Sequence, residues 1–231
     1  MFYFWDPTML ILIPAVLLTA YAQMKINSTY NKYSQIPSKR GLTGADVARY
    51  ILNKNGLFDV PVELVGGHLS DHYDPRSRVV RLSPDVYHGT SLAALGVAAH
   101  EVGHAVQHDT GYMPLFIRNT IIPVTQIGSY AAIPLFFIGI FMSNESLASA
   151  GILLFGAIVF FQMVTLPVEF NASRRAIVTL GGEGILDAQE LNGTKKVLSA
   201  AAMTYLAAAL MAVMQLLRLI VISGMMGGND E

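Results

Sequence analysis

Residues 91–109 read SLAALGVAAHEVGHAVQHD, an alanine-rich run without proline. Thr90 or Ser91 is suited to cap the start of a helix here, and Gly111 is suited to end it. Gly103 is a poor helix former, and a glycine inside a helix usually has a packing reason. The stretch therefore predicts a helix of about five turns.

The same helix carries the pattern His100-Glu101-x-x-His104. Residues four apart on a helix lie on one face, about 6 Å apart, so the two imidazoles can hold one zinc ion. Zinc lowers the pKa of a bound water to about 7, and Glu101 is placed to accept that water's proton without ligating the metal. The pattern predicts metal-assisted hydrolysis, most often of a peptide bond.

The composition is that of a membrane protein. Only 13% of the 231 residues are charged, which is far below the quarter or so usual in soluble domains. A formal net charge of −1 argues against a nucleic-acid-binding protein. The chain has no cysteine, so its metal ligands must be histidine, aspartate or glutamate.

Long apolar stretches predict a mainly α, polytopic membrane protein with about four transmembrane helices and a small cytoplasmic α+β metallopeptidase region. The first stretch should be an uncleaved anchor, because MFYFWD has no basic residue. Pro123 and Pro134 should kink the second. The predicted segments are helix 1 at 1–23, a loop region at 24–116, helix 2 at 117–142, helix 3 at 147–167, a second loop segment at 168–197 and helix 4 at 198–223.

The distribution of Lys and Arg predicts the orientation of these helices. Basic residues crowd into 24–116, with Arg118 just beyond it, and into 168–197, whereas MFYFWD, the SNES turn and the GGNDE tail contain none. Loops rich in Lys and Arg stay in the cytoplasm, so both termini should face outward and both loop segments should be cytoplasmic. Arg218 is the exception, and it lies near enough to a helix end to snorkel.

The loop region 24–116 predicts a small α+β domain. LTGADVARYILNKNG at 42–56 indicates a short amphipathic helix that Thr43 caps and Gly56 ends. VPVELVGG and RVVRLS indicate two short strands of a β-hairpin, with the turn-rich HLSDHYDPRS between them. We expect the second strand, through Arg78, Val79 and Val80, to hold an extended substrate by edge pairing, although a purely structural strand is equally compatible.

Zinc requires a third protein ligand. His108 lies eight residues from His100, about 12 Å along a straight helix, which is too far for one metal. Glu169 follows Pro167 on the predicted cytoplasmic side, but an interfacial carboxylate paired with a neighbouring arginine would occupy the same position. The other candidates are His68, His72, His88, Asp109 and the further acidic residues of segment 168–197.

Several segments together resemble the YugP-like family of bacterial zinc-dependent membrane peptidases. They are STYNKYSQ, LSDHYDPRSRVVRLSPDVY, VAAHEVGHAVQHDTGYMPL, LPVEFNASRRA and KKVLSAAAMTYLAAAL. That family is similar to HtpX-like and CAAX prenyl endopeptidases, which have a gluzincin arrangement. The resemblance implies one zinc bound by His100, His104 and Glu169, with Glu101 as the base, in the bacterial cytoplasmic membrane. HtpX-like relatives have an acidic residue four after the ligand glutamate, where this chain has Ser173, so a carboxylate that orients a histidine would come from elsewhere.

The sequence therefore predicts an integral-membrane zinc metalloendopeptidase that hydrolyses peptide bonds at the cytoplasmic face. Its partners would be membrane lipid and a peptide or membrane-protein substrate, with no nucleic acid. Two alternatives stay open, namely a catalytically silent zinc-binding adaptor and a metal hydrolase that acts on lipid. A transporter finds little support, because the four apolar spans contain no acidic residue beyond Asp6 near the start of the first. Candidates for the oxyanion donor are Tyr73, His72, Arg174 and Arg175, and oligomeric state is left open.

Overall fold

The computed structural model describes residues 6–227, which are mainly helical. Four of its helices are long and apolar enough to cross a membrane, as predicted. In chain order the elements are a 3-10 helix at Pro7–Leu12, α1 at Ile13–Tyr33, α2 at Gly44–Lys54, β1 at Val62–Leu64, β2 at His72–Asp74, β3 at Val79–Leu82, α3 at Pro84–Tyr87, α4 at Leu92–Asp109, α5 at Met113–Phe141, α6 at Glu145–Gly182 and α7 at Ala188–Gly227.

The long helices extend beyond their predicted ends. Helix 1, predicted at 1–23, is described from Pro7 and continues to Tyr33, while residues 1–5 lie outside the described part. Helix 3 does not end at 167, because α6 passes through Pro167 and continues to Gly182. Prolines are tolerated in membrane helices, where neighbouring groups satisfy the backbone atoms that the ring leaves unpaired. Glu169 is therefore held on a helix and not on a loop.

The chain divides into two compact units. The first comprises 1–22, 117–166 and 204–231, so it holds most of the apolar length of the four long helices. Phe136 and Leu219 are fully buried in it. Arg218 is also buried and forms an ion pair with Asp6 at 2.6 Å, while its Nε donates to the Thr8 hydroxyl. The one basic residue that departs from the charge pattern thus has an acidic partner inside this unit.

The second unit comprises 23–116 and 167–203 and contains the small α+β region. Its helix α2 begins with a capping box, in which the Thr43 hydroxyl accepts from Asp46 N and the Asp46 carboxylate accepts from Thr43 N. The predicted apolar face is buried, since Val47, Ile51 and Leu52 all belong to the core of this unit. The prediction of this helix and of its cap is confirmed.

The sheet has three strands, in the order β1-β3-β2, and not the two that the sequence predicts. β3 pairs parallel with β1 and antiparallel with β2. The extra strand β2 has only three residues and lies inside the stretch predicted as a turn. The hairpin therefore joins β2 to β3, and its tight loop requires Arg78 to adopt a left-handed backbone conformation with φ +54°.

The predicted edge position of the 78–82 strand is wrong. β3 is the central strand, and Val80 N donates to Pro61 O at 3.0 Å on the β1 side. Val79 and Val80 are buried, so neither offers a free backbone edge to a substrate. The Arg78 guanidinium forms an ion pair with Asp59 at 3.3 Å. The proposed substrate role of Arg78, Val79 and Val80 loses its structural basis, because β1 and β2 form the edges of the sheet.

Candidate metal centre

The helix α4 positions the first two residues of the site. Ser91 is its N-cap, and the Ser91 hydroxyl accepts from Ala94 N at 3.1 Å. After the last turn, Gly111 has φ +62°, which favours glycine and allows the chain to leave the helix. Most residues between these ends are buried. The predicted helix is confirmed with both of its end signals, and it holds His100 and His104 on one face.

Gly103 allows α6 to approach α4 closely. A Cβ atom at Gly103 would lie 2.9 Å from the Ala172 carbonyl oxygen and 3.2 Å from its Cα. Real Cβ atoms almost never approach backbone so closely. Ala172 lies three residues after Glu169, so the short distance between α4 and α6 at Gly103 brings Glu169 close to the two histidines. The packing reason expected for this glycine is confirmed.

Three donor atoms converge between α4 and α6. His100 Nε2 lies 3.1 Å from His104 Nε2 and 3.2 Å from Glu169 Oε2, and His104 Nε2 lies 3.5 Å from Glu169 Oε2. A tetrahedral zinc with bonds of about 2.0–2.1 Å requires donor atoms about 3.3 Å apart. The three separations match that requirement, and three protein ligands are the number typical of catalytic zinc sites.

Burial adds an electrostatic argument for a cation. Glu169 is 4% exposed and His104 is 8% exposed. A buried carboxylate needs positive charge close to it. The sequence left open a pairing with Arg174 or Arg175, but Arg174 is exposed and Arg175 Nε donates to Asn171 Oδ1 at 2.8 Å. Both imidazoles lie within 3.5 Å of this carboxylate, and the three groups together fit a metal ion.

The other candidate ligands lie elsewhere. Within residues 6–227, the group of His, Asp and Glu side chains close enough together to share a metal ion is His100, His104 and Glu169. His108 is exposed, and its Nδ1 is hydrogen-bonded to the Tyr73 hydroxyl at 2.8 Å. His72 Nδ1 donates to the Ser70 carbonyl, and His68 pairs with Asp85.

A neutral group contacts the outer nitrogen of each histidine. His104 Nδ1 is 3.0 Å from Gln107 Oε1, and His100 Nδ1 is 3.1 Å from the Ser173 hydroxyl. Gln107 Nε2 donates to Val168 O and to Asn171 Oδ1, which fixes the orientation of its amide. His104 Nδ1 must therefore donate to Gln107, and its Nε2 is left with a lone pair for a metal.

Gln107 and Asn171 are the site residues that the sequence analysis missed. Gln107 is fully buried although it is polar, and Asn171 bridges it to Arg175. A polar residue three positions after a ligand histidine on the same helix is a signal that a search for orienting groups could have used. The orienting residue was sought among carboxylates, whereas an amide and the hydroxyl of Ser173 occupy these positions.

Glu101 faces the sheet from α4. Its Oε2 accepts a hydrogen bond from the backbone N–H of Tyr73 at 3.0 Å. Tyr73 lies on the edge strand β2, so this amide points away from β3 and toward α4. Burial raises the pKa of the Tyr73 phenol above its ordinary value. The phenol is hydrogen-bonded to His108 Nδ1 at 2.8 Å, and this contact restrains it.

Comparisons with known proteins indicate the class to which this chain belongs. The family model described as "Putative neutral zinc metallopeptidase" matches residues 8–224. The Bacillus subtilis (strain 168) protein named "Putative membrane protease YugP" is 51% identical over 219 residues, which is 95% of this chain and 96% of that protein. No solved structure matches the chain.

The fold and the site together define a multi-pass membrane protein with a candidate catalytic zinc centre. The family match extends over almost the whole chain, from the first long helix to the last. The chain belongs to this family of neutral zinc metallopeptidases. The resemblance seen in the sequence is thereby confirmed.

Proposed function

We propose that this protein is an integral-membrane zinc endopeptidase with one zinc ion held by His100, His104 and Glu169. The observation that carries the proposal is the near-tetrahedral spacing of their three donor atoms, 3.1, 3.2 and 3.5 Å apart. Membership of a zinc metallopeptidase family supports the metal and the reaction class. A membrane adaptor with structural zinc would ordinarily use four protein ligands, so the three-ligand set favours catalysis.

Each nearby side chain then has a chemical role. A zinc ion held by these three residues would supply Lewis acidity toward the scissile carbonyl and toward a water. Glu101 takes a proton from the attacking water and transfers it to the nitrogen of the leaving amine, as a general base and then a general acid. The backbone N–H of Tyr73 donates a hydrogen bond of 3.0 Å to Glu101 Oε2 and so positions the carboxylate.

Tyr73 is the best supported of the four oxyanion candidates. Its amide contacts Glu101, so its phenol belongs to a residue already anchored at the site. The hydrogen bond to His108 Nδ1 restrains the phenol. Arg174 is exposed, Arg175 is engaged by Asn171, and His72 is turned toward the Ser70 carbonyl. We therefore assign stabilisation of the developing oxyanion to the Tyr73 hydroxyl.

The side of the membrane is also part of the proposal. The chain segments 23–116 and 167–203, which carry the site, contain nearly all the lysines and arginines of the protein. Loops of this composition are retained in the cytoplasm. The proposed site thus acts at the cytoplasmic face of the bacterial membrane, on extended segments of peptides or membrane proteins.

The test is the Glu101→Gln variant of the full-length protein in detergent, assayed with a fluorogenic peptide library alongside its zinc content. Loss of a general base should reduce turnover by about 10²- to 10⁴-fold while zinc stays bound. Glu63→Gln, on the exposed face of β1, is the matched control and should turn over normally. Full peptidase activity in Glu101→Gln, or hydrolysis of phospholipid vesicles but not of peptides by the wild type, would refute the proposal.

A further inference from the structure

A basic groove lies between α1 and α7, on the lysine-rich side of the chain and apart from the candidate metal centre. Its volume is about 630 Å³. We define the groove by its cationic residues, two from each helix. They are Lys25, Lys32, Lys195 and Lys196. The hydroxyls of Ser28, Thr29 and Ser199 and the amide of Asn192 also line it, and no acidic residue does.

The charge of this groove is not neutralised by the protein. The chain has six lysines, and the two outside the groove, Lys39 and Lys54, form ion pairs with Asp187 and Glu183. Within residues 6–227, none of the four groove lysines has a carboxylate partner. Two acidic residues at the start of α7 are engaged elsewhere. Asp187, just before the helix, pairs with Lys39, and Glu190 in its first turn accepts from Lys39 N at 2.7 Å. The groove therefore has an excess positive charge that an anion from outside can satisfy.

The floor of the groove is rigid. Tyr33 is 9% exposed, and a Cβ atom at Gly193 would lie 2.8 Å from the Tyr33 ring. This close contact holds the end of α1 against the start of α7. Thr29 is equally buried, and its hydroxyl makes no hydrogen bond within the described residues. A donor held at the base of a cationic groove is suited to a phosphate oxygen.

The groove changes from basic to apolar along α7. Lys195 and Lys196 lie one turn before Ser199 and Ala200, and Met203 lies one further turn toward the apolar part of the helix. On α1, Lys25 is the first charged residue after the long uncharged stretch that follows Asp6. The cations and hydroxyls thus lie toward the C-terminal end of the candidate span Pro7–Tyr33 and toward the N-terminal end of the candidate span Ala188–Met225.

We propose that this groove binds the phosphodiester headgroup of an anionic phospholipid, with an acyl chain along Ala200 and Met203. Positive charge and hydroxyls match the phosphate, and the apolar end matches the lipid tail, which a free phosphate would leave unused. Basic pockets between helices at this level of a membrane recognise anionic lipid headgroups. The proposal goes beyond the peptidase function and does not depend on it.

Native mass spectrometry of the full-length protein in detergent, titrated with phosphatidylglycerol, tests the proposal. Phosphatidylcholine with the same acyl chains and inorganic phosphate are the comparison ligands. The double variant Lys25→Gln/Lys196→Gln should bind phosphatidylglycerol about 30-fold more weakly. The matched control Lys54→Gln/Arg76→Gln removes the same charge outside the groove and should bind within about threefold of the wild type, since exposed ion pairs contribute little.

The charge-preserving variant Lys25→Arg/Lys196→Arg separates binding from folding, because it should keep wild-type affinity for the lipid. Unchanged phosphatidylglycerol binding in Lys25→Gln/Lys196→Gln would overturn the proposal. Equal affinity for phosphatidylcholine, or inorganic phosphate binding as tightly as the lipid, would overturn it as well. Equal losses in the groove variant and the matched control would show that net charge, and not this groove, attracts the lipid.

Discussion

Gln107→Leu is the substitution that best isolates how the protein prepares His104 for zinc. Leucine has nearly the same volume as glutamine, so the change removes hydrogen bonds from a fully buried site without opening a large cavity. Two of the three partners of Gln107 keep another bond. Asn171 Oδ1 still accepts from Arg175 Nε, and Val168 O lies within the backbone ladder of α6. The loss therefore falls on His104 Nδ1.

The magnitude follows from the tautomers of His104. Without zinc, the imidazole can carry its proton on Nε2 and need not donate from Nδ1. With zinc, Nε2 must be bare and the proton must be on Nδ1, where leucine offers no acceptor. A buried donor without an acceptor costs about 1–3 kcal/mol. Because this cost falls on the zinc-bound state, zinc affinity should decrease by about 5- to 150-fold.

Chelator competition on the purified full-length protein measures this affinity directly. The companion variant Gln107→Glu keeps an acceptor for His104 Nδ1 but loses both donors to α6. It should retain zinc at least as tightly as the wild type, because a carboxylate is the stronger acceptor. Wild-type zinc affinity in Gln107→Leu would refute this reasoning. Equal weakening in both variants would show that Gln107 acts by holding α6 and not by setting the tautomer.

Two other predictions follow from the packing and from the charge distribution. Gly103→Ala should lower the free energy of unfolding by about 1–3 kcal/mol, since its Cβ would lie 2.9 Å from Ala172 O. Denaturant unfolding measures this change. Gly182→Ala is the control, because no atom lies within 4 Å of a Cβ at Gly182. An unchanged free energy of unfolding in Gly103→Ala would contradict the close approach of α6 to α4. A reporter fused to the C-terminus should report the outer side of the membrane, and a cytoplasmic signal would contradict the proposed orientation.

Local signals in the sequence predicted the helical part of the site well. Thr43 and Ser91 cap their helices as expected, because capping depends on residues a few positions away. The spacing of His100 and His104 follows from helix geometry alone. Local signals could not predict the position of Glu169, because its approach to these histidines depends on how α6 packs on α4. The structure brings the three together, whereas their binding of zinc stays a prediction.

The sheet and the orienting groups depended on contacts that local patterns do not contain. β3 is central because β1 joins it in parallel register, with Val62 opposite Val80. A strand's alternation of side chains does not reveal which of its edges are paired. Gln107 reads as an ordinary residue on a helix, and its role appears only when α6 brings Val168 and Asn171 to it. The pairing of β1 with β3 and the packing of α6 against Gln107 join residues far apart in the chain, so neither could be predicted from local sequence patterns.

The most direct test of the account is the zinc content of the purified wild type and of Glu169→Ala, measured by elemental analysis against protein concentration. Glu169 supplies the donor atom that lies 3.2 and 3.5 Å from the two histidine nitrogens. We predict about one zinc per wild-type chain and a large loss of zinc in Glu169→Ala, because three protein ligands are needed to hold the metal. Full zinc occupancy in Glu169→Ala, or a wild type without zinc, would contradict the proposed centre.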